Sequence, residues 1–436
     1  MKRRQLRAAL AAVLSLVLLG GVVAPAAHAA DSFFSYSGPR PLGDLAPGTV
    51  LKSRTIDYHL FGLALPVKVV QVLYRTTDAR GRAIANATSI VLPPQRPAKA
   101  KAVSYQSAYD SLSPADSPSR VIAGDQRFPG GVLVNVETAL LVPLLAQGYT
   151  VLVPDTEGPT ADFATGPVYG TTTLDSIRAS ATAPGTGLDA TTRVGLLGYS
   201  GGAIGSNWAA ALAPSYAPEV NQRLVGVAEG GLLVNPARNL DYVSGSTVWA
   251  GVLAAAVIGA ARGYGVDIDP YLNDRGRAVF AKMADQSLAN ILLAYPGLTW
   301  RDLVKPEYAD PTSVPVYVDL VNKLNLGQRP SPTVPLYIAQ GAAGFLEGTS
   351  GLKPGIGAGD GVMVTGDVRT LARQYCAAGT RVQYKQFDLL SHVGGVAPWV
   401  LDSLPWLNDR FAGKQAPSTC GSIPAGNPLT PVGPAV

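Results

Sequence analysis

Short β-rich runs alternate with longer segments of helical pattern along most of this chain. Runs at 67–74 and 85–92 flank Thr77-Asp78-Ala79-Arg80-Gly81, a turn carrying Asp and Gly, and Pro93-Pro94 closes the second. That pattern predicts a hairpin at the antiparallel edge of a larger sheet. Residues 31–49 have no period and are expected to form an irregular arm over the surface. A short strand at 102–105 leads into the polar loop Gln106-Ser107-Ala108-Tyr109-Asp110-Ser111, and a helix is expected over 134–147, with Gly148 as its stop. A buried-type strand at 149–154, a helix at 174–183, an apolar run at 193–199 and another at 224–227 follow. Strands alternating with helices in this way predict an α/β protein with a mainly parallel sheet, whose ligands bind at the carboxyl ends of the strands.

The rhythm breaks between 232 and 326. Residues 246–261 are almost wholly apolar and 275–295 are amphipathic, so this stretch predicts a helical insertion, or cap, over the sheet. Its apolar helix is too short and Ala-rich to favour a membrane span. It fits either a helix buried within the cap or a lid and acyl-binding surface. Strands return at 334–340 and 381–387, with a helix over 368–378 between them, and from Ala416 the chain turns to Pro, Gly and Ser. The expected organisation is therefore a core at 31–231, a cap at 232–326, the rest of the core at 327–415, and a poorly ordered tail at 416–436.

The first 30 residues stand apart. Lys2, Arg3, Arg4 and Arg7 precede an unbroken small and apolar run over 8–27, and Ala27-His28-Ala29 is an A-x-A processing site ahead of Asp31. This predicts a cleaved export signal and a secreted, extracellular protein, with a single membrane anchor as the alternative. Those four residues supply most of the net charge of +5, so the mature chain falls to +1 and gives no argument for nucleic acid or anionic lipid. The two cysteines, Cys376 and Cys420, fit one disulfide in an oxidising compartment or a pair of free thiols. No metal-ligand spacing surrounds them, and neither a metal, a cofactor nor a protein partner is indicated.

Candidate chemistry centres on Gly198-Tyr199-Ser200-Gly201-Gly202, where an apolar run ends and a small-residue segment rich in Ala begins. Strand, tight turn and helix form the context in which G-x-S-x-G is a nucleophile elbow, with Ser200 as nucleophile. Serine needs a base. Of the three histidines, His28 leaves with the leader and His59 sits before the hairpin, which leaves His392, in the loop after the last β-rich run. The base needs a carboxylate to orient it, and in this chain order the carboxylate falls between Ser and His. The long loop after 340 offers Glu347, Asp360 and Asp367; Asp360, just before the last helix, is the first choice and Glu347 the second. Asp388 is close in sequence to His392 but is expected to be a structural loop residue. Two oxyanion donors are needed. The Gly201 N–H is one, and the loop holding Asp110 offers the other, unless Asp110 is only a solvated turn residue.

Several motifs together resemble one family. They are Leu73-Tyr74-Arg75-Thr76-Thr77-Asp78, Ser104-Tyr105-Gln106 with Tyr109-Asp110-Ser111, Pro154-Asp155 with Glu157-Gly158, Leu174-Asp175-Ser176-Ile177-Arg178-Ala179, the elbow itself, and the late Cys376 and His392. In this order they resemble the secretory lipase family, the lipase A-like branch of the α/β-hydrolases. The resemblance implies an α/β-hydrolase fold with a helical cap, a Ser-Asp-His triad, an oxyanion loop containing the Asp at 110, and an exported carboxylic ester hydrolase acting on lipid esters at or near a lipid–water interface. One departure stands out: the family places the acid within a few residues of the strand, whereas here residues 342–359 intervene. An acyltransferase or a short-chain esterase would use the same acyl-enzyme; a non-catalytic binding protein and a peptidase are the more distant alternatives.

Overall fold

The computed structural model describes residues 31–125 and 128–434, so the export signal expected at 1–30 lies outside the described residues. Nine strands form one sheet: β1 (Val50–Leu60), β2 (Leu63–Thr77), β3 (Ala83–Val91), β4 (Lys101–Gln106), β5 (Thr150–Pro154), β6 (Arg193–Tyr199), β7 (Leu224–Gly230), β8 (Leu336–Gly341) and β9 (Val382–Phe387), in the order β1-β2-β3-β5-β4-β6-β7-β8-β9. The first three strands and the β3–β5 pair are antiparallel, and every pairing from β5 to β9 is parallel. The predicted hairpin is β2–β3. β1 was not legible because Lys52, Arg54, Asp57 and His59 interrupt its apolar positions. Such a strand can lie at the edge, where one side of the ladder faces water.

The inner parallel strands β5, β7 and β8 are buried along their whole length because both faces of the sheet are covered, whereas β9, at the edge, is only partly buried. The helices that cover it, with those lying above it, are α1 (Val132–Ala146), α2 (Gly166–Thr182), α3 (Gly201–Tyr216), α4 (Pro236–Val243), α5 (Ala250–Tyr264), α6 (Asp274–Met283), α7 (Pro315–Lys323), α8 (Thr365–Ala377) and α9 (His392–Phe411). Alternate side chains go to opposite sides. Val194, Leu196, Leu336 and Ile338 join a core with α2, α3 and α8, while Leu197, Tyr199, Tyr337 and Ala339 join one with α1 and α9. α9 has no counterpart in the sequence pattern: Gly394, Gly395, Pro398 and Pro405 disguise it. Its buried Trp399, Trp406 and Leu407 bind it to the sheet, which overrides weak propensity.

Between β7 and β8 the chain forms α4 to α7 with several single turns. Their side chains build a separate apolar cluster that includes Tyr242, Trp249, Leu253, Met283 and Leu303, joined by Val362 and Met363 from the loop before α8. The amphipathic stretch expected over 275–295 is broken: α6 ends at Met283, and a single turn, Leu288–Ile291, follows. Among the described residues, no helix is long and apolar enough to cross a membrane.

The tail differs from expectation. The described residues beyond Cys420 lack regular structure, yet they are docked. Ile423 and Leu429 are buried in the main core, and side-chain amides fasten the backbone: Asn325 Nδ2 donates to Leu429 O at 3.1 Å, and Val432 N donates to Asn322 Oδ1 at 2.8 Å. A Pro/Gly-rich composition removes periodicity, but it does not prevent two spaced anchors from burying. Cys376 and Cys420 form a disulfide that joins the end of α8 to this tail. The link spans 44 residues. On the chain-entropy account, removing it in Cys376→Ser/Cys420→Ser lowers the unfolding free energy by about 3–4 kcal/mol. Denaturant melts measure that loss, and an unchanged midpoint would refute it.

Candidate active site

Ser200 sits in the turn between β6 and α3. Its φ of +56° lies in the left-handed region, an unusual place for a residue with a side chain, and one held by its surroundings. The Ser200 N–H donates to Gly230 O at 2.9 Å. The flanking glycines make the turn possible, since a Cβ on Gly198 would collide with the Gly202 carbonyl and one on Gly202 with the Gln106 carbonyl. The hydroxyl is thereby held beyond the strand end at the N-terminus of α3, where helix N–H groups point outward.

His392 is the first residue of α9 rather than a loop residue. Ser391 caps the helix by accepting from Gly394 N, and the Tyr199 hydroxyl donates to the His392 carbonyl at 2.6 Å. On the side chain, Nε2 lies 2.8 Å from Ser200 Oγ and Nδ1 lies 2.8 Å from Asp360 Oδ2. Asp360 is wholly buried and saturated with donors: Val362 N at 3.1 Å and Met363 N at 2.7 Å on Oδ1, and Gln340 Nε2 at 2.9 Å on Oδ2. Its carbonyl also accepts the His392 N–H at 2.6 Å. Burial works to lower the imidazole pKa, but the Asp360 carboxylate, through charge and hydrogen bond, outweighs it, with Glu347 and Asp110 adding to the effect. The net shift is upward from 6.5.

The other acid candidates are elsewhere. Asp367 pairs with Arg238 at 2.6 Å, Asp388 accepts from the Gln386 amide, and Glu347 contacts Trp249 and the backbone of Val393. The long insertion at 342–359 therefore does not keep Asp360 from the imidazole. It loops out and returns, with Gly344 N donating to Gly359 O at 2.8 Å, and brings Asp360 back beside β8.

Asp110 follows β4 with φ +29°, and its carbonyl accepts the Leu288 N–H at 2.8 Å, tying this loop to the segment after α6. Among the described residues, neither the Asp110 N–H nor the Gly201 N–H donates to a backbone carbonyl in the turns and loops. A Cβ on Gly201 would collide with Asp110 Oδ1, so the two residues are in close approach. Burial, then the Glu137 carboxylate, pushes the Asp110 carboxyl up to about 7, against the pull of His392. Glu137, itself raised to about 7 by burial, accepts from Ala108 N at 2.8 Å, and Glu157 accepts from Ser111 N at 3.0 Å. Buried carboxyls thus fix both sides of the loop. Of these, Glu157 was visible only as part of a motif, and neither Glu137 nor Gln340 carried any sequence signal.

Ser200 and Asp110 open on an apolar pocket that Trp249, Val252, Ala256, Leu320, Val362 and Met363 help to line. Among the described residues, no group of three or more His, Cys, Asp or Glu has metal-holding geometry.

The family model for secretory lipases matches residues 126–419, two thirds of the chain. The chain belongs to the secretory lipase family. A Mycobacterium tuberculosis protein named as a probable inactive lipase is 31% identical, over 87% of this chain and 82% of its own length. Lipase 4 of Candida albicans is 30% identical, over 93% and 86%. Among solved structures, Candida antarctica lipase A in its closed state superposes with a TM-score of 0.79 at 25% identity, covering 93% of this chain and 91% of that one. The chain has the α/β-hydrolase fold, and its relatives support a lipase or esterase function.

Proposed function

We propose that this member of the secretory lipase family is an exported serine ester hydrolase that cleaves lipid esters through an acyl-enzyme on Ser200. The observation that carries this is the continuous chain of contacts from Ser200 Oγ through His392 to Asp360, opening on an apolar pocket. His392 Nε2 accepts the hydroxyl proton as Oγ attacks the ester carbonyl. The carbonyl oxygen becomes an oxyanion beside the Asp110 and Gly201 N–H groups. Collapse expels the alcohol, which takes its proton from the imidazolium. Water, deprotonated by the same nitrogen, then attacks the acyl carbon, and collapse of this second intermediate returns the proton to Ser200 and releases the carboxylic acid. Residues 232–326 act as a cap whose underside receives the acyl chain, over a core formed by 31–231 and 327–415.

The name of the Mycobacterium relative raises a non-catalytic alternative, and intact contacts among Ser200, His392 and Asp360 speak against it here. A lipid substrate also accounts for the exposed apolar side chains Phe345, Leu346, Leu389 and Val393 on the segments flanking Glu347 and His392.

The purified mature protein is expected to hydrolyse p-nitrophenyl esters across a range of chain lengths and emulsified triglyceride as well. Ala256→Phe fills part of the pocket. Each methylene kept out forfeits about 0.8 kcal/mol of burial, so long-chain esters lose at least about tenfold in kcat/KM while butyrate is little changed. A uniform loss across chain lengths would contradict this placement of the acyl chain, and activity confined to dissolved short esters would make the protein an esterase.

A further inference from the structure

Glu347 lies in the insertion that separates Asp360 from its strand, and both of its carboxyl oxygens are engaged. Oε2 accepts from Trp249 Nε1 at 2.7 Å, and Oε1 accepts from Val393 N at 2.9 Å. The first partner is the residue preceding α5, and the second is the second residue of α9, directly after His392. One carboxylate thus joins the cap segment to the helix that carries the imidazole. Trp249 is almost wholly buried and stands edge-on to that imidazole, with ring centroids 5.2 Å apart and planes at 81°.

The surrounding backbone leaves room for this contact. Gly361 has φ +132°, and a Cβ there would lie 2.6 Å from Glu347 Oε2 and 3.0 Å from Trp249 Nε1. An anion at the first turn of α9 is also favoured by the exposed N–H groups there.

We propose that Glu347 is a positioning residue for the base: it holds Trp249 of the cap against the edge of His392 and fixes the first turn of α9. This rests on the serine hydrolase assignment above. The charged and titratable groups facing His392 are Asp360 from the loop before α8, Glu347 from the insertion and Asp110 from the loop after β4, with the Tyr199 ring packed beside it from β6. Glu347 is therefore a second negative charge felt by the imidazolium without touching it. Removing that charge favours the neutral base, so the acid limb of the rate profile moves to lower pH.

Glu347→Gln and Glu347→Ala test this, with p-nitrophenyl butyrate as substrate and kcat, KM and the pH profile of kcat/KM as readouts. Both variants move the acid limb to lower pH. Glu347→Gln retains an acceptor for one of the two donors and holds kcat within about threefold, whereas Glu347→Ala loses both contacts and drops kcat by about tenfold or more. If Glu347→Ala does not fold, the near-isosteric Glu347→Gln decides through its acid limb. Acid limbs that superimpose on wild type overturn the proposal. Ser200→Ala, measured in parallel, separates the two ideas: turnover surviving in it defeats the serine hydrolase assignment, whereas an inactive Ser200→Ala beside unmoved Glu347 limbs defeats only the role of Glu347.

Discussion

Ser200→Ala is expected to lower kcat for p-nitrophenyl esters by about 10⁶-fold, the scale of losing a serine nucleophile whose partners act as a unit. The fold should survive, because alanine fits the same turn and only the hydroxyl that contacts His392 Nε2 is removed. His392→Ala should cost about as much, and the double variant little more, since each change alone disables the same step. What remains above the uncatalysed rate reflects the donors beside Asp110 and Gly201 and the apolar pocket. A Ser200→Ala enzyme retaining wild-type turnover would place the chemistry elsewhere.

Asp360→Asn carries the second largest effect, a fall in kcat of about 10⁴-fold. The buried carboxylate accepts from Val362 N, Met363 N, Gln340 Nε2 and His392 Nδ1, so every contact on it requires an acceptor. An asparagine must turn its NH₂ toward one of these donors. Turned toward His392, it fixes the tautomer that protonates Nε2, the nitrogen that must receive the serine proton. Turned away, it leaves buried N–H groups unpaired, at about 1–3 kcal/mol of stability. The pH profile gives a second readout. Activity needs neutral imidazole, and Asp360 holds the imidazole pKa above its ordinary value, so wild-type activity declines on the acid side at a pH above 6.5. Without the carboxylate charge, whatever activity persists should decline at a lower pH. A fall of several orders of magnitude in Glu347→Gln, with Asp360→Asn near wild type, would reverse the assignment of the acid.

Much of the site was legible because its chemistry leaves local marks. The elbow shows as an apolar run, two flanking glycines and a small-residue helix. His392 is the one histidine that follows both the leader and the edge strand. Asp360 was the harder inference: its usual distance from the strand is lost in the insertion, and only its place before α8 pointed to it. The contact between Trp249 and Glu347 could not be read, since 98 residues separate them and nothing in either neighbourhood encodes the other. The same holds for Tyr149, which packs against Phe411 from a distant part of the chain. In the fold, strands buried on both faces were plain, while α9 was hidden by its own glycines and prolines and the tail by the absence of a period. Both are held by tertiary burial, which sequence pattern records poorly.

The central claim is that an acyl group passes through Ser200. Rapid acid quenching of the wild-type enzyme during turnover of a p-nitrophenyl ester, followed by peptide mass mapping, tests it directly. The predicted result is the mass of the acyl group on the peptide containing Gly198-Tyr199-Ser200-Gly201-Gly202, absent from Ser200→Ala. Turnover with an acyl adduct on a different residue, or the same adduct in Ser200→Ala, would contradict it.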